Sequence, residues 1–393
     1  MDLKERSLAL HKKYQGKIKI NVVKKVHTKD DLSLLYSPGV AYSTQAIFEN
    51  PNLAYDYTCK GRVIAVVTDG SAILGLGNLG PEAALPVMEG KCLLFKEFGN
   101  VEAVPICLDT QDPEKIIETC KLIAPTFAGI NLEDISAPRC ITIERRLKEE
   151  LNIPVFHDDQ HGTSIVVGAA LINVSRLLDI PLSEMTVALS GTGAAGSSVA
   201  IRLKQLGVNK IFAYNLQGVV NNNNYEKYNF LIQELLDKKI IDSYDKPNAN
   251  LSDIVEGADV FIGLSGPNIL TVDMINKMNH KIVFALANPN PEISYDLAKK
   301  AKVDIYATGR SDYPNQVNNV LAFPGLFKGA ILAKATKITD SMISAAIYAL
   351  ASLISDDELN ADYIIPNPFD KRVAKTIARA VKKQAIKENI IRK

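Results

Sequence analysis

Short apolar runs alternate with amphipathic stretches along the first half of the chain. Val63–Thr68 and Val101–Leu108 are nearly continuous apolar runs, which predict buried strands. Helical spacing of apolar residues follows at Pro113–Ile123 and Ala137–Leu151, and a short strand is expected at Val155–Phe156. Strands that alternate with helices are typical of an α/β layer.

The alternation continues in the second half of the chain. A long apolar helix is predicted at Thr163–Leu178, followed by a strand at Met185–Leu189, a helix at Ser197–Leu206 and a strand at Lys210–Tyr214. The last three of these elements form a βαβ unit. Three further strands are expected at Val260–Gly263, Ile282–Ala287 and Asp304–Ala307. This half therefore predicts a doubly wound parallel sheet.

The two ends of the chain carry amphipathic helical patterns. Residues 2–14 predict a short helix that is followed by an irregular basic stretch to Lys29. Near the other end, Lys371–Lys393 predicts a docking helix whose apolar face is formed by Ala374, Ile377, Ala378, Val381 and Ala385. The Asn221–Asn224 run is interpreted as a solvated loop tip.

The composition limits the class of protein. A hydrophobic fraction of 47% and a charged fraction of 23% are those of a globular protein. The net charge of +1 gives no basic field for nucleic acid or an anionic membrane. No apolar run suits a signal peptide or approaches a membrane span. The five cysteines form no CxxC pair, so we expect reduced core thiols and a cytoplasmic protein.

Two segments match the pattern G-x-G-x-x-G, and their context distinguishes them. Gly75–Gly80 is separated from its strand by DGSAIL and runs into Pro81, so we interpret it as a turn near the site. The second segment follows a strand and opens a helix, as a pyrophosphate-binding loop does. It consists of Gly191, Thr192, Gly193, Ala194, Ala195 and Gly196. We therefore expect residues 161–393 to be a Rossmann-type dinucleotide-binding domain, preceded by an α/β catalytic domain in residues 1–160.

The residue expected to bind the cofactor ribose is Asn215. An acid is usual at the end of the second strand, and its charge repels the 2′-phosphate of NADP. Asn215 can bind a ribose hydroxyl but lacks that charge, and Leu216 and Gln217 supply no arginine for the phosphate. The choice between NAD and NADP is open, and NAD is favoured.

Two pairs of acids, Glu133–Asp134 and Asp158–Asp159, follow predicted strands. Open α/β sheets bind their ligands at the edge formed by the carboxyl ends of the strands. A set of three carboxylates with open water positions suits a hard divalent cation, Mg²⁺ or Mn²⁺. His157 and His161 could indicate zinc, but their spacing across a turn that contains Gly162 does not favour it.

The order of several motifs resembles that of malic enzymes of the short bacterial type, over about residues 30–345. The motifs are Tyr36-Ser-Pro-Gly-Val-Ala41, Val67-Thr-Asp-Gly70, Gly75–Gly80, LEDI, HDDQHGT, Gly191–Gly196, Ala287-Asn-Pro289 and Asn318-Asn-Val-Leu-Ala-Phe-Pro-Gly325. The resemblance implies an N-terminal malic-enzyme domain and oxidative decarboxylation of L-malate to pyruvate and CO₂ with reduction of NAD or NADP.

The resemblance also implies roles for individual residues. Tyr36 matches the proton donor, Lys91 matches the proton acceptor, and Asp158 matches the acid that orients the lysine. Asn288 and Asn319 match residues that contact substrate and nicotinamide. The matched metal ligands are Glu133, Asp134 and Asp159. The family further suggests a homodimer, in which we expect residues 2–14 and the basic stretch to pack on the partner near the Tyr36 loop.

The chemistry of the reaction fits these residue types. Oxidation at C2 needs a base for the hydroxyl proton, and loss of the C4 carboxylate needs a cation near the developing enolate. A tyrosine can then protonate C3. A free lysine has a pKa of about 10.4, and we expect partial burial and the metal charge to lower the pKa of Lys91.

Three other functions remain open. Conversion of malate to lactate with a retained cofactor would use the same residues, and release of free NADH or NADPH would distinguish it. A metal-free 2-hydroxy-acid or amino-acid dehydrogenase would be indifferent to EDTA. A dinucleotide-sensing protein without turnover is the non-enzymatic alternative, and the presence of Tyr36, Lys91 and the three acids argues against it.

Overall fold

The computed structural model describes residues 2–73 and 76–392, and its strands form two sheets. The strands are β1 (Val63–Thr68), β2 (Glu102–Cys107), β3 (Gly129–Leu132), β4 (Val155–His157), β5 (Thr186–Ser190), β6 (Lys210–Asn215), β7 (Gly218–Val219), β8 (Val260–Gly263), β9 (Ile282–Ala285) and β10 (Ile305–Thr308). Every predicted strand is present within two residues at each end.

Helices cover both sheets. They are α1 (Leu3–Tyr14), α2 (Lys29–Leu35), α3 (Val40–Glu49), α4 (Ala54–Tyr57), α5 (Pro81–Leu94), α6 (Pro113–Ile123), α7 (Arg139–Glu150), α8 (Asp158–Leu178), α9 (Ala194–Gln205), α10 (Phe230–Asp237), α11 (Leu251–Val255), α12 (Val272–Ile275), α13 (Tyr295–Lys300), α14 (Phe323–Leu332), α15 (Asp340–Ala351) and α16 (Val373–Lys387). The predicted helices near both ends of the chain are confirmed as α1 and α16.

The first sheet is parallel and has the strand order β2-β1-β3-β4 over the described residues. Ile64 of β1 pairs with Gly129 of β3, and Ile130 of β3 pairs with Val155 of β4. Strands β1, β3 and β4 are buried along their whole length, as their apolar sequences predict. Because β3 and β4 are adjacent and parallel, the acids that follow them meet at one edge of the sheet.

The second sheet has the order β10-β9-β8-β5-β6-β7 within the described part of the chain. All its pairs are parallel except β6 with β7, which form a hairpin from Tyr214 to Val219. The chain runs from β5 to β6 on one side and returns to β8 on the other side of β5. This reversal at β5 creates the crevice in which doubly wound sheets bind their ligands.

Helix α8 begins five residues before its predicted start. The polar segment that follows β4 forms its first turns, with Asp158 and Asp159 at the N-terminus, where acids interact favourably with the helix dipole. Gly162 is helical and is not part of a turn. A Cβ atom there would lie 2.1 Å from Asp158 Oδ1 and 3.0 Å from Asn319 Cγ, so close packing requires the glycine.

Helix α8 is also the one helix, among the described residues, that is long and apolar enough to cross a membrane by length and composition. The expectation that no segment approaches this length is therefore wrong. Its most apolar 18-residue window is 61% buried inside the protein, and Ile165–Leu171 pack in a core shared by both sheets. A buried core helix of a globular protein passes the same test. Because the core is shared, the boundary between residues 1–160 and 161–393 stays a prediction.

The segment before β1 packs poorly on the rest of the chain. No described residue before Val63 is buried. More than half of the large apolar side chains that are exposed in the described residues belong to positions 3–57. By contrast, the five apolar residues predicted for α16 are all buried. Burial of α16 follows from its own amphipathic pattern, whereas α1 has no surface of its own chain to cover.

All five cysteines carry free thiols. Cys92, Cys120 and Cys140 are buried and Cys107 is half-buried, as expected for core thiols. Cys59 is exposed, so the prediction of a core position is wrong for this residue.

Candidate active site

Three carboxylates meet where β3 and β4 end. One ligand oxygen from each of Glu133, Asp134 and Asp159 lies within 4.8 Å of the others. The Asp134 backbone is in the left-handed region with φ of 53°, and its N–H donates a hydrogen bond of 2.8 Å to Asp159 Oδ2. Asn131, on β3, donates a hydrogen bond of 2.8 Å to Glu133 Oε2. Neighbouring protein groups therefore hold Glu133 and Asp159 in place.

Lys91 lies on α5 between two of the acids. Its Nζ is 2.7 Å from Glu133 Oε1 and 2.7 Å from Asp158 Oδ2, and the side chain is only 11% exposed. The ammonium also lies 4.4 Å from the centre of the Phe323 ring, within range of a cation–π interaction. The predicted base is thus adjacent to the predicted metal ligands and to the acid predicted to orient it.

Asn319 joins this group from the loop before α14. Its Nδ2 is 3.2 Å from Asp158 Oδ2 and 3.3 Å from the Asp158 carbonyl oxygen. Thr163 donates a hydrogen bond of 3.1 Å to Asn319 Oδ1, which fixes the orientation of the amide. Asp158 is fully buried and is held by an ammonium and an amide.

Burial and mutual repulsion divide the acids into two groups. Burial, together with the neighbouring aspartates, raises the pKa of Glu133 well above its usual range, although Lys91 opposes the shift. Burial also raises the pKa of Asp158. Burial also tends to raise the pKa of Asp159, but contact with His157 and the charge of Lys91 lower this pKa below its usual value. Asp159 therefore keeps its negative charge most readily.

Burial and the neighbouring acids shift the pKa of Lys91 in opposite directions. Burial does lower the pKa of Lys91, as expected. The charges of Asp158, Glu133 and Asp159 outweigh burial and raise the pKa above its usual range. The protein's own groups therefore shift this pKa upward, and the lowering expected from a bound metal ion stays a prediction.

The loop between β5 and α9 has the geometry of a pyrophosphate-binding turn. Gly191 has φ of 105°, and a Cβ atom on it would lie 2.5 Å from the Leu264 carbonyl oxygen. A Cβ atom on Gly196 would lie 1.9 Å from the Gly191 carbonyl oxygen. A Cβ atom on Gly193 would meet nothing within 4 Å, which leaves room for a ligand at the helix N-terminus. Thr192 completes the turn, and Ala194 and Ala195 are the first two residues of α9.

Asn215 and Asn288 lie at the crevice of the second sheet. Asn215 ends β6, donates a hydrogen bond of 3.2 Å to Thr192 Oγ1, and accepts one of 2.8 Å from the Gln217 N–H. Asn288 follows β9, is exposed, and packs against Gly309. No hydrogen bond joins the Asn288 side chain to the carboxylate cluster within the described residues. Its predicted contact with substrate stays a prediction.

Tyr36 lies outside the cluster in the single chain. It follows α2 and is 69% exposed. No hydrogen bond, ion pair or ring contact connects it with Lys91 or the acids in the described residues. The other glycine motif, Gly75–Gly80, is described only from Leu76, because Leu74 and Gly75 lie outside the described residues. The backbone N–H groups of Leu79 and Gly80 both donate hydrogen bonds to the Gly70 carbonyl oxygen, just before α5 begins.

Several residues at the site were missed by the sequence analysis. Asn131 of β3 lies two residues before Glu133, and this period-two spacing along extended backbone could have revealed it. Phe323 lies within a quoted motif, but its sequence position does not indicate the contact with Lys91. His157 and Glu144, described below, are brought together only by the fold.

The donor atoms fit the groups expected to bind. Three clustered carboxylates form an all-oxygen set of the kind that Mg²⁺ or Mn²⁺ takes, with no thiolate or imidazole among them. The open space at Gly193 fits a pyrophosphate. A cation and a dinucleotide can therefore be held by residues that the chain already positions.

Comparison with known proteins agrees with this geometry. Residues 15–148 match the malic enzyme N-terminal domain, and residues 160–386 match the malic enzyme NAD-binding domain. The chain belongs to the malic enzyme family. Its predicted family and fold class are confirmed.

Individual relatives match along the whole chain. A bifunctional malic/malolactic enzyme of Bacillus subtilis is 51% identical over 393 residues, which cover 100% of this chain and 95% of the relative. An NAD-dependent malic enzyme of Geobacillus stearothermophilus is 49% identical over 395 residues, covering 100% and 81%. The crystal structure of a malic enzyme from Pyrococcus horikoshii has a TM-score of 0.93 at 44% identity, covering 100% and 92%.

Proposed function

We propose that this protein oxidises L-malate and removes CO₂ to leave pyruvate, with reduction of NAD or NADP and dependence on Mg²⁺ or Mn²⁺. One observation carries the proposal above all: a buried lysine bridges two carboxylates beside a cluster of three acids. A lysine in this position can exchange a proton with a substrate bound at the cluster.

The residues divide the chemistry between them. Lys91, in its neutral form, accepts the proton of the C2 hydroxyl, and Asp158, which is itself held by Asn319, keeps the Lys91 side chain in position. Glu133, Asp134 and Asp159 would hold the cation. When bound, the cation supplies positive charge that stabilises the enolate and offsets the carboxylates that raise the pKa of Lys91. Gly191–Gly196 would hold the dinucleotide, which when bound would supply the acceptor for the C2 hydride.

Tyr36 supplies the proton for C3 in this proposal, and a homodimer brings it to the site. The exposure of Tyr36 and of the apolar side chains before Val63 supports assembly with a second copy. Deletion of residues 1–14 should weaken both dimerisation and activity. Sedimentation at working concentration tests this, and a fully active monomer would rule the dimer out. A cytoplasmic location stays a prediction.

Discrimination between the dinucleotides should be modest, with NAD preferred. The side chain of Asn215 is neutral and already bound to Thr192. It can donate a hydrogen bond to a ribose hydroxyl or accept one from it, and it does not repel a 2′-phosphate.

Conversion of malate to lactate is a second candidate function. It is favoured by the name of the Bacillus subtilis relative, which is called bifunctional malic/malolactic. This conversion requires pyruvate and the reduced dinucleotide to remain bound for a second hydride transfer. The residues named above would serve both reactions.

One assay tests the proposal and separates the two reactions. The protein is incubated with malate and either NAD or NADP, in the presence of Mg²⁺, Mn²⁺ or EDTA. Pyruvate and free NADH or NADPH should appear in equal amounts with metal and stop with EDTA. Lactate without free reduced dinucleotide would indicate the malolactic reaction, and turnover in EDTA would exclude a malic enzyme mechanism.

A further inference from the structure

A buried carboxylate on α7 organises the turn that carries Asp158 and Asp159. Glu144 is only 4% exposed, yet its pKa is held well below its usual range, because His161 and Lys148 outweigh the effect of burial. Its Oε1 accepts the His157 backbone N–H at 3.0 Å and Lys148 Nζ at 2.7 Å. Its Oε2 lies 2.9 Å from His161 Nε2 and 3.3 Å from Gln160 Nε2. Four donors thus converge on one carboxylate.

The same group of residues fixes the ring of His157, which is fully buried. Gln160 Nε2 lies 2.8 Å from His157 Nδ1, which holds that edge of the ring and leaves Nε2 facing Asp159. Nε2 lies 3.2 Å from Asp159 Oδ2. Among the described residues this nitrogen has no aligned hydrogen-bond partner, so a small rotation of the Asp159 carboxylate would satisfy it.

We propose that His157 is a positioning residue for the metal ligand Asp159, and that Glu144 holds His157 for this task. The inference rests on the proposed function, in which Asp159 binds the cation. Asp159 Oδ2 is approached from two sides, by His157 Nε2 and by the Asp134 N–H. Constraint of one oxygen fixes the plane of the carboxylate and therefore the direction in which it presents its lone pairs.

The role of Glu144 follows from the backbone bond. By accepting the N–H of His157, Glu144 fixes the main chain one residue before Asp158 and two before Asp159. These adjacent acids have different partners: Asp158 contacts Lys91, whereas Asp159 faces the cluster. A small rotation of this turn would move both acids at once. Burial of a carboxylate is costly unless it is paired, and here four donors compensate for it.

The closing experiment compares two amides that differ by one methylene. In His157→Gln the amide nitrogen can reach the position of Nε2, whereas in His157→Asn it reaches only the position of Nδ1. Mn²⁺ binding to the full chain is measured directly, by calorimetry and by the loss of the free-ion electron paramagnetic resonance signal. Neither readout requires turnover.

We expect His157→Gln to keep Mn²⁺ affinity within about threefold of the wild type, and His157→Asn to lose about 10- to 100-fold. Glu144→Gln should lose affinity to a similar extent. Asp259→Asn is the matched control. Asp259 is also a buried carboxylate, and it accepts a hydrogen bond from the Thr186 backbone N–H. It lies beside the first residue of β5, at the end of the strand opposite to the glycine loop. This control should lower Tm and leave Mn²⁺ affinity unchanged.

Equal affinities in His157→Gln and His157→Asn, whether both retained or both lost, would overturn the positioning role. Loss of affinity in Asp259→Asn would also overturn it, because general destabilisation would then explain the effect. If the wild type itself binds no Mn²⁺, the proposed function fails and this inference fails with it. Dinucleotide affinity, measured in parallel, reports whether each variant is folded around the second sheet.

Discussion

Replacement of Lys91 by methionine tests whether the site is built around a buried ion pair. The variant keeps an unbranched side chain as far as Cε but removes the ammonium group that lies 2.7 Å from both Glu133 and Asp158. Removal of one partner of a buried pair costs about 3–5 kcal/mol, because the other charge remains buried. The pKa of Glu133 is already raised by burial, so this acid can take up a proton and limit the loss. We therefore expect Lys91→Met to lower the free energy of unfolding by about 3 kcal/mol at neutral pH.

The dependence on pH follows from the sign of the shift. An acid whose folded pKa is raised binds more protons in the folded state, so stability decreases as the pH rises through the interval up to the folded pKa. In Lys91→Met, Glu133 and Asp158 lack the neighbouring ammonium group, so their folded pKa values rise further. The pH interval between the unfolded and the folded pKa therefore becomes wider. The difference in unfolding free energy between the wild type and Lys91→Met should therefore shrink as the pH falls from 8 to 5. Urea denaturation of the metal-free proteins measures it.

Addition of Mn²⁺ separates the structural role of Lys91 from its catalytic role. At 100 times its dissociation constant, a bound ion stabilises the folded state by about 2.7 kcal/mol. Mn²⁺ should thus restore much of the stability of Lys91→Met, while malate turnover stays at least about 10²-fold lower.

The control for Lys91 is Lys96→Met, close by in the sequence. Lys96 is 52% exposed and 3.6 Å from Glu102, a pair whose loss should cost below about 1 kcal/mol. Metal-free stability of Lys91→Met equal to that of the wild type at pH 8 would refute the reasoning.

Three further substitutions test separate parts of the site. Asp159→Ala should abolish decarboxylation and Mn²⁺ binding but leave dinucleotide binding intact; near-normal turnover at ordinary Mg²⁺ would contradict the metal assignment. Tyr36→Phe should slow malate turnover by about 10²–10⁴-fold through loss of the proton donor, and full pyruvate formation would reduce Tyr36 to a wall of the site. Asn215→Asp should shift the ratio of kcat/KM toward NAD by about 10- to 100-fold, or about 1.4–2.8 kcal/mol; an unchanged ratio would assign the choice of cofactor to another residue.

The sheets were predictable because buried parallel strands have a simple sequence signature. Strands such as β1 and β8 are short apolar runs bounded by polar residues, and their ends were predicted without error. The carboxyl ends of such strands share an edge, so the meeting of Glu133 with Asp159 also followed from the sequence. These features depend only on local composition and on strand order.

The start of α8 was not predictable in the same way. The segment from Asp158 to Gly162 contains no apolar periodicity, and a glycine within it usually indicates a turn. Its helical form depends on tertiary partners: Lys91 binds Asp158, and Glu144 binds the turn from the far side. Such partners are distant in sequence, so local propensity cannot reveal them.

In the proposed mechanism, one part of the site is built within a single chain and the other part depends on a second chain. The proposed base, Lys91, and the acid cluster are held by buried contacts within one chain, between the first sheet and α8. The proposed proton donor, Tyr36, lies in a segment without a single buried residue in the described chain. A proton donor must lie within hydrogen-bond reach of its target, directly or through one water, and a side chain in a poorly packed segment does not hold such a position. The proposed homodimer would meet both needs, because packing of this segment against a second subunit would fix the donor and cover the apolar surface before Val63.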